Sequence, residues 1–232
     1  WRVQTRRGEL LTRHVVANVP PQGLARLLGP EGPALPPRLQ RLAERVADGW
    51  GAVMLYLVVG APAGASPHAH HLELVRDVHA PFVEGNHLFA SLSGEADEGR
   101  APAGQRTVTV STHVALGQLR GLPPEERARR VSTIQARLRE GLEHLAPEWM
   151  ADVRHALPGS PRTFERFTAR DEGAVGGVPR RAGLHHYRTL WPEPVREGLW
   201  LVGDSVFPGQ STLATALGGV RTAACVAAKR AP

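Results

Sequence analysis

Residues 198–220 have the sequence GLWLVGDSVFPGQSTLATALGGV, and this stretch is the most informative part of the chain. A short apolar run over 199–202 ends at Gly203-Asp204, and a loop of small residues then leads into a pattern typical of a helix. Glycines in such a turn let backbone N–H groups approach a ligand closely, and a helix N-terminus adds partial positive charge. A strand, a glycine-rich turn and a helix start in this order therefore predict a site for an anionic or electron-rich group.

The helix predicted after this turn runs from about Thr212 to about Lys229, and either Ser211 or Thr212 can cap its start. Its apolar positions form one stripe, made of Leu213, Ala216, Leu217, Val220, Ala224 and Ala227. The helix can make a close contact with a sheet, as in any α/β protein, or direct its start at a bound group, and the glycine turn before it favours the second. The single cysteine, Cys225, lies among alanines, so we expect a small buried thiol and no internal disulfide.

Upstream of this segment, short strands and helices are predicted from hydrophobic periodicity. Residues 1–18 favour a hairpin, and further strands are expected over 51–59, 72–78, 87–92, 107–115 and 152–157. Helices are expected over 22–28, 37–47, 124–145 and 161–169. The short turns between the strands favour an antiparallel sheet. Because 51–59 is nearly all apolar, we expect that strand to be covered on both faces, with Met54 to Val59 as a candidate pocket wall.

The composition excludes several classes of protein. The chain has 232 residues, is 42% hydrophobic and carries a net charge of +6, with Lys229 as its only lysine. Because arginine and glutamate are interleaved and few aromatic residues accompany the basic ones, we expect no nucleic-acid partner. No apolar run approaches the ~18 residues that a transmembrane helix needs. We therefore expect a cytoplasmic location and leave peripheral contact with a membrane open.

Histidines and serines offer no second site. His68, His70 and His71 lie in a loop of proline, glycine and alanine without cysteines or carboxylates at ligand spacing, so we predict no metal. We predict no metal at the pair His185-His186 either. The sequence also lacks the Gly-x-Ser-x-Gly turn of the serine hydrolases.

The 198–220 stretch resembles the C-terminal flavin-binding segment of the carotenoid isomerase and phytoene desaturase family of FAD oxidoreductases, within the amine oxidase superfamily. In that family Gly-Asp-Ser, an aromatic residue and Pro-Gly-Gln precede the last helix. A second match is Arg170-Asp171-Glu172-Gly173, which is followed by Gly176 and Pro179 before the terminal strand. Further upstream, Val15-Val16-Ala17-Asn18 and the two prolines that follow resemble the family's return from the flavin domain to the substrate domain.

The resemblance implies that FAD is the cofactor, held by the segment after the last strand. The cofactor-binding residues that it implies are Gly203, Asp204, Ser205, Pro208, Gly209, Gln210, Ser211, Thr212, Leu213 and Ala214. Asp204 would contact the ribityl–pyrophosphate part of FAD. Backbone N–H groups near 212–214 would stabilise the negative charge that a reduced flavin carries. The resemblance does not identify which residue would act as a catalytic acid or base.

One expected element is absent from the sequence. FAD enzymes of this class begin with a strand and G-x-G-x-x-G, followed by an acidic residue ~20 positions later. Residues 60–64 follow a strand, but Pro62 and the glycine spacing do not fit this pattern. We therefore expect the chain to be the C-terminal half of a larger flavoprotein and inactive by itself. Its expected partners are the missing N-terminal half, a second copy of the chain and an apolar small-molecule substrate.

These observations together predict an α+β fold, with an antiparallel-sheet substrate domain, its helices, and the C-terminal strand–helix part of a Rossmann-like FAD domain. The expected division is a partial FAD-domain hairpin at 1–20, a substrate-binding domain at 21–157 and the FAD-binding segment at 158–232. The implied function of the parent protein is isomerisation or desaturation of a polyene of the carotenoid type. A carotene ketolase, an amine oxidase and a non-catalytic remnant that binds no flavin remain as alternatives.

Overall fold

The computed structural model describes residues 1–61, 66–179, 183, 191 and 193–228. These residues form two compact units, unit 1 with residues 1–49 and 175–232 and unit 2 with residues 50–174. The chain thus leaves unit 1 after Gly49, builds unit 2, and returns at Val175. The functional division predicted at residues 20 and 157 differs from these boundaries and stays a prediction.

Both units contain helices and strands. The strands are β1 (Arg2–Thr5), β2 (Gly8–Leu11), β3 (Val15–Ala17), β4 (Trp50–Gly60), β5 (His70–Val75), β6 (His87–Leu92), β7 (Gln105–Ala115), β8 (Val153–Gly159) and β9 (Leu199–Leu201). The α-helices are α1 (Pro21–Leu28), α2 (Pro37–Ala47), α3 (Leu116–Arg120), α4 (Pro124–Leu145), α5 (Pro147–Met150), α6 (Pro161–Thr168) and α7 (Thr212–Ala228). A short 3-10 turn spans Asp171–Gly173. No described helix is both long and apolar enough to cross a membrane.

Unit 2 is built on an antiparallel sheet of five strands in the order β5-β6-β7-β4-β8. Alternating residues of β4 and β7 face a buried core, which α4 closes from one side with Ile134, Leu138 and Leu142. The mixed α+β class with an antiparallel sheet is therefore confirmed. The expectation that β4 is covered on both faces is wrong, since Tyr56 is 36% exposed and Met54 is only half-buried. An antiparallel sheet with its helices on one side leaves the other face open.

The opposite face of this sheet carries aromatic and hydroxyl side chains, and we call it the open sheet face. It is formed by Tyr56, Phe89, Leu157, Thr109, Ser111 and their neighbours on the same side. Tyr56 pairs across strands with both Thr109 and Leu157. Met54, Tyr56 and Val58 alternate with the core residues Leu55 and Leu57, so only half of the proposed pocket wall lies on this face.

Unit 1 contains a hairpin, β1 with β2, and a separate parallel pair, β3 with β9. The sequence predicted one hairpin over 1–18, but β2 ends at Leu11 and β3 pairs with β9 instead. Period-two alternation identifies extended chain, yet it does not identify the pairing partner. The helices α3 and α5 were not predicted, because elements of 5 and 4 residues are too short to show a helical period.

A buried arginine holds the loops at one end of the unit 2 sheet. Arg106 is 1% exposed, and its guanidinium donates to three backbone carbonyls. Nε donates to Ser93 O at 2.6 Å, while the two Nη atoms donate to Ser66 O and His68 O, each at 2.8 Å. The planar guanidinium presents several donors in fixed directions, which an ammonium group does not match.

Replacing Arg106 by Met should destabilise the protein by about 3 kcal/mol, because the buried Ser93 carbonyl and two partly buried carbonyls lose their donors. Arg106→Lys should recover part of that loss. Arg100→Met is the control, since Arg100 is exposed and forms only a 3.8 Å ion pair with Asp97. Urea unfolding measures the difference in free energy. Equal stability of the Arg106→Met and Arg100→Met variants would show that the three bonds do not stabilise the fold.

Candidate functional site

The candidate site lies in unit 1, where the two parallel strands end at the same edge. Val15 N donates to Gly198 O at 2.8 Å and Val202 N donates to Ala17 O at 2.9 Å, so the strands run in register. Strand β9 is buried on both faces, as is typical of a central strand in an α/β domain. The carboxyl ends of such strands are where ligands bind in open α/β sheets. Here those ends bring Asn18 beside Gly203-Asp204.

Gly203 allows this close approach. Its φ is +108°, and a Cβ at this position would lie 2.6 Å from Asn18 Oδ1. A side chain at residue 203 would therefore meet both unfavourable backbone geometry and the Asn18 amide. Glycine is required here by the turn that the sequence predicted.

Two further glycines support the loop from another side. Gly177 has a φ of +63°, and a Cβ there would lie 2.6 Å from Asp204 O. Gly176 has a φ of +80°, and its Cβ would lie 3.0 Å from the Gln210 side-chain nitrogen. The Gly176-Gly177 turn therefore packs directly against the loop that carries Asp204. This gives the glycine of the second sequence match, Gly176, a physical connection with the first.

The start of α7 is capped by Ser211. Ser211 Oγ accepts a hydrogen bond from Ala214 N at 3.1 Å, and Ser211 O accepts one from Thr215 N at 3.0 Å. Of the two candidate caps, the serine is therefore the one used. Among the described residues, the backbone N–H groups of Thr212 and Leu213 have no hydrogen-bond partner. They can donate to a ligand at the positive end of the helix dipole.

All ten predicted site residues lie on the connection from β9 into the first turn of α7, and their exposure differs. Gly203, Asp204, Pro208 and Gln210 are half-buried, whereas the helix start is exposed. Ser205 is 1% exposed, and its Oγ has no hydrogen-bond partner within the described chain. It lines a cavity of about 10 Å³, which is the space of one water molecule. Its hydroxyl therefore faces the interior of unit 1.

An aromatic residue fixes the middle of the loop. The Phe207 ring stacks on Trp191 with ring centroids 5.0 Å apart, and the Arg221 guanidinium lies 5.2 Å from its centroid. The arginine comes from the third turn of α7, so this contact ties the loop to its own helix. Sequence analysis identified the aromatic position but not its two partners. No local pattern links Trp191 or Arg221 to residue 207.

The apolar stripe of α7 is exposed at its large residues. Its most exposed large members are Leu213, Leu217 and Val220, at 70%, 43% and 67%. The side of the helix that is buried carries Gly218 and Thr222, because Gly218 allows the helix to approach Phe207 O and Pro208. Cys225 is exposed as well, so the expectation of a buried thiol is wrong.

Most of the histidines lie on unit 2, and they form no metal centre within the described residues. His71 stacks on Phe89 with centroids 5.7 Å apart, and Trp50 meets His113 edge-on at 6.2 Å. Burial lowers the pKa of His113, and the nearby His87 lowers that pKa further. No group of three His, Cys, Asp or Glu side chains could hold an ion in the part of the chain that the structure describes. The pair His185-His186 lies outside the described residues.

Replacing Gly177 by Ala should destabilise unit 1 more than its backbone geometry alone explains. The matched control is Gly29→Ala, because Gly29 has a φ of +72° but no atom within 4 Å of its Cβ position. Both variants lose stability because their backbones have a positive φ, which a residue with a Cβ rarely adopts. Gly177→Ala should lose at least about 1 kcal/mol more, since its methyl group collides with Asp204 O. Equal losses in urea unfolding would show that this contact does not constrain the loop.

Comparison with known proteins finds relatives of one kind. The chain is 33% identical to the chloroplastic prolycopene isomerase of Arabidopsis thaliana over 160 residues, which are 68% of this chain and 27% of that protein. It is 28% identical to the prolycopene isomerase of Daucus carota over 160 residues and 32% identical to prolycopene isomerase 2 of an Oncidium hybrid cultivar over 151 residues. The chain spans about a quarter of the length of these relatives. No family model matches it.

Among solved structures, an oxidoreductase from Methanosarcina mazei superposes with a TM-score of 0.51 at 16% identity. The match covers 92% of this chain and 43% of that protein, and it shows a likeness of fold alone. The Arabidopsis relative is stronger evidence of relationship, because its alignment at 33% identity covers 68% of the chain. The resemblance predicted from the Gly-Asp segment is thus confirmed, and the chain is a homologue of the carotenoid isomerases over that length.

Proposed function

We propose that this chain supplies the flavin-facing segment and the substrate sheet of an FAD-dependent oxidoreductase that isomerises or desaturates a polyene. The observation that carries the proposal is the convergence at one edge of unit 1. The carboxyl ends of β3 and β9 meet there, and the loop that follows β9 leads from this edge to the Ser211-capped start of α7. Open α/β sheets bind nucleotide cofactors at such an edge.

The residues at this edge fit a flavin nucleotide. Glycines at 176, 177 and 203 leave no room for side chains, so the segments at this edge pack closely against one another and fix the loop that would hold the ligand. The N–H groups of Thr212 and Leu213 would donate to the electron-rich end of the flavin, and the Asp204 carboxylate would accept hydrogen bonds from sugar or ribityl hydroxyls. FAD, when bound, supplies the hydride or electron exchange.

Unit 2 would supply the surface for the apolar substrate. Tyr56 and Phe89 are each 36% exposed on the open sheet face, and Leu157 is 67% exposed beside them. Exposed aromatic and aliphatic side chains on one face favour an apolar ligand. The relatives are named for prolycopene, a polyene, which favours isomerisation of such a substrate over the other reactions of the superfamily.

The exposed stripe of α7 would be covered in the complete enzyme. The relatives are about four times as long as the region matched here, so they contain further chain that can lie on this helix. A parallel pair of two short strands also needs neighbours, since parallel sheets are normally buried on both faces. We assign this surface to the nucleotide-binding N-terminal half of the parent protein.

The chain by itself should bind FAD weakly, because it has no G-x-G-x-x-G turn to hold the pyrophosphate. We expect no stoichiometric flavin band near ~450 nm after purification. Titrating FAD into the ¹⁵N-labelled chain should nevertheless shift the amide resonances of 203–214. Asp204→Ala should weaken this binding about ten- to hundredfold, which corresponds to one hydrogen bond to a charged group.

Glu31→Ala is the control for that titration, since Glu31 is an exposed carboxylate of the same unit. It should leave FAD binding unchanged. A tightly bound flavin in the purified chain would overturn the claim that another segment is needed. Equal dissociation constants for the native chain and Asp204→Ala would remove Asp204 from the cofactor site.

The uncovered stripe of α7 should make the isolated chain self-associate, because exposed apolar area favours contact between copies. Val220→Arg should shift the chain toward monomer in sedimentation velocity at rising concentration. Val78→Arg is the matched control, because Val78 is 70% exposed on unit 2 and Val220 is 67% exposed. A clean monomer at every concentration for the native chain would contradict this expectation.

A further inference from the structure

We infer that the side-chain amide of Asn18 is a second cofactor-binding group, which donates a hydrogen bond to a phosphate oxygen of the nucleotide. This inference rests on the proposed function and adds a residue from the other strand of the parallel pair. Asn18 directly follows β3, and Val202 N donates to Ala17 O at 2.9 Å just before it. The amide therefore lies at the same edge as Gly203 and Asp204.

The chain after β3 lacks two backbone donors because of its prolines, which favours a side chain as a further donor. A helix that follows a strand usually offers its first N–H groups to a phosphate. Helix α1, however, begins at Pro21 and has Pro20 as its N-cap, and neither proline carries an N–H. No side chain caps α1. The Asn18 amide is thus the first side-chain donor after this strand.

The side-chain amide of Asn18 lies beside Gly203 and is free to bind a ligand. Its Oδ1 lies against Gly203, where a Cβ would come within 2.6 Å of it, while the amide nitrogen lies farther from that point. Asn18 is exposed, and within the described residues its side chain has no hydrogen-bond partner. An asparagine held next to a glycine turn with an unused N–H₂ group can donate two hydrogen bonds.

The chemistry of the neighbouring groups assigns the ligand atom. Asp204 is an acceptor when ionised, so it suits the hydroxyl groups of a flavin nucleotide and repels its phosphates. Asn18 carries no charge and offers donors, so it suits a phosphate oxygen at the same edge. Asp204 after β9 thus offers an acceptor, and Asn18 after β3 offers a donor. A flavin nucleotide has hydroxyl groups for the first and phosphate oxygens for the second.

The variant Asn18→Asp tests this assignment, because it keeps the shape of the side chain and replaces the donor by a negative charge. FAD and riboflavin are titrated separately into the ¹⁵N-labelled chain. We expect Asn18→Asp to weaken FAD binding about ten- to hundredfold and Asn18→Ala to weaken it less. Riboflavin, which has no phosphate, should bind the native chain and both variants equally. Gln105→Glu adds the same charge on unit 2 and should change neither titration.

The outcomes separate this inference from the function on which it rests. If FAD shifts the resonances of 203–214 and Asn18→Asp binds FAD as the native chain does, the assignment of Asn18 is wrong and the flavin site stands. If Asn18→Asp weakens FAD and riboflavin equally, the contact is not with phosphate and the inference is overturned. If FAD shifts no resonance of 203–214 in the native chain, the proposed function and this inference fail together.

Discussion

The parallel pairing of β3 with β9 is the constraint on which the candidate site depends. It brings two segments from opposite ends of the chain into register, so that Asn18 and Gly203-Asp204 lie at one edge. A β3–β9 pair shifted by one residue would turn alternate side chains to the other face and separate these groups. The pair is short, with three residues in each strand, so its neighbours must hold it in place.

Glycines supply that support by close backbone contact. Gly177 packs on Asp204 O and Gly203 packs on the Asn18 amide, and both have left-handed backbone geometry. Phe207 adds a side-chain anchor between Trp191 and Arg221. The loop before α7 is therefore shaped by packing before any ligand arrives. A preorganised loop of this kind loses less conformational entropy when it binds a cofactor.

Local patterns predicted the elements well and the long-range contacts poorly. Helix α4 spans Pro124–Leu145 as expected, because a proline start, acidic residues in the first turn and a regular apolar face all lie within its own 22 residues. The Ser211 cap and the start of α7 were predicted on the same local basis. The partner of β3 lies far away in the chain, and the exposure of the α7 stripe depends on what covers it. Neither can be deduced from the spacing of residues in one segment.

The most direct test of this account is an experimental structure of the chain crystallised with excess FAD. We expect cofactor density along the carboxyl edge of β3 and β9, in contact with the loop at 203–210 and the first turn of α7. Density for FAD confined to unit 2, with the edge of β3 and β9 occupied by solvent, would contradict the central claim.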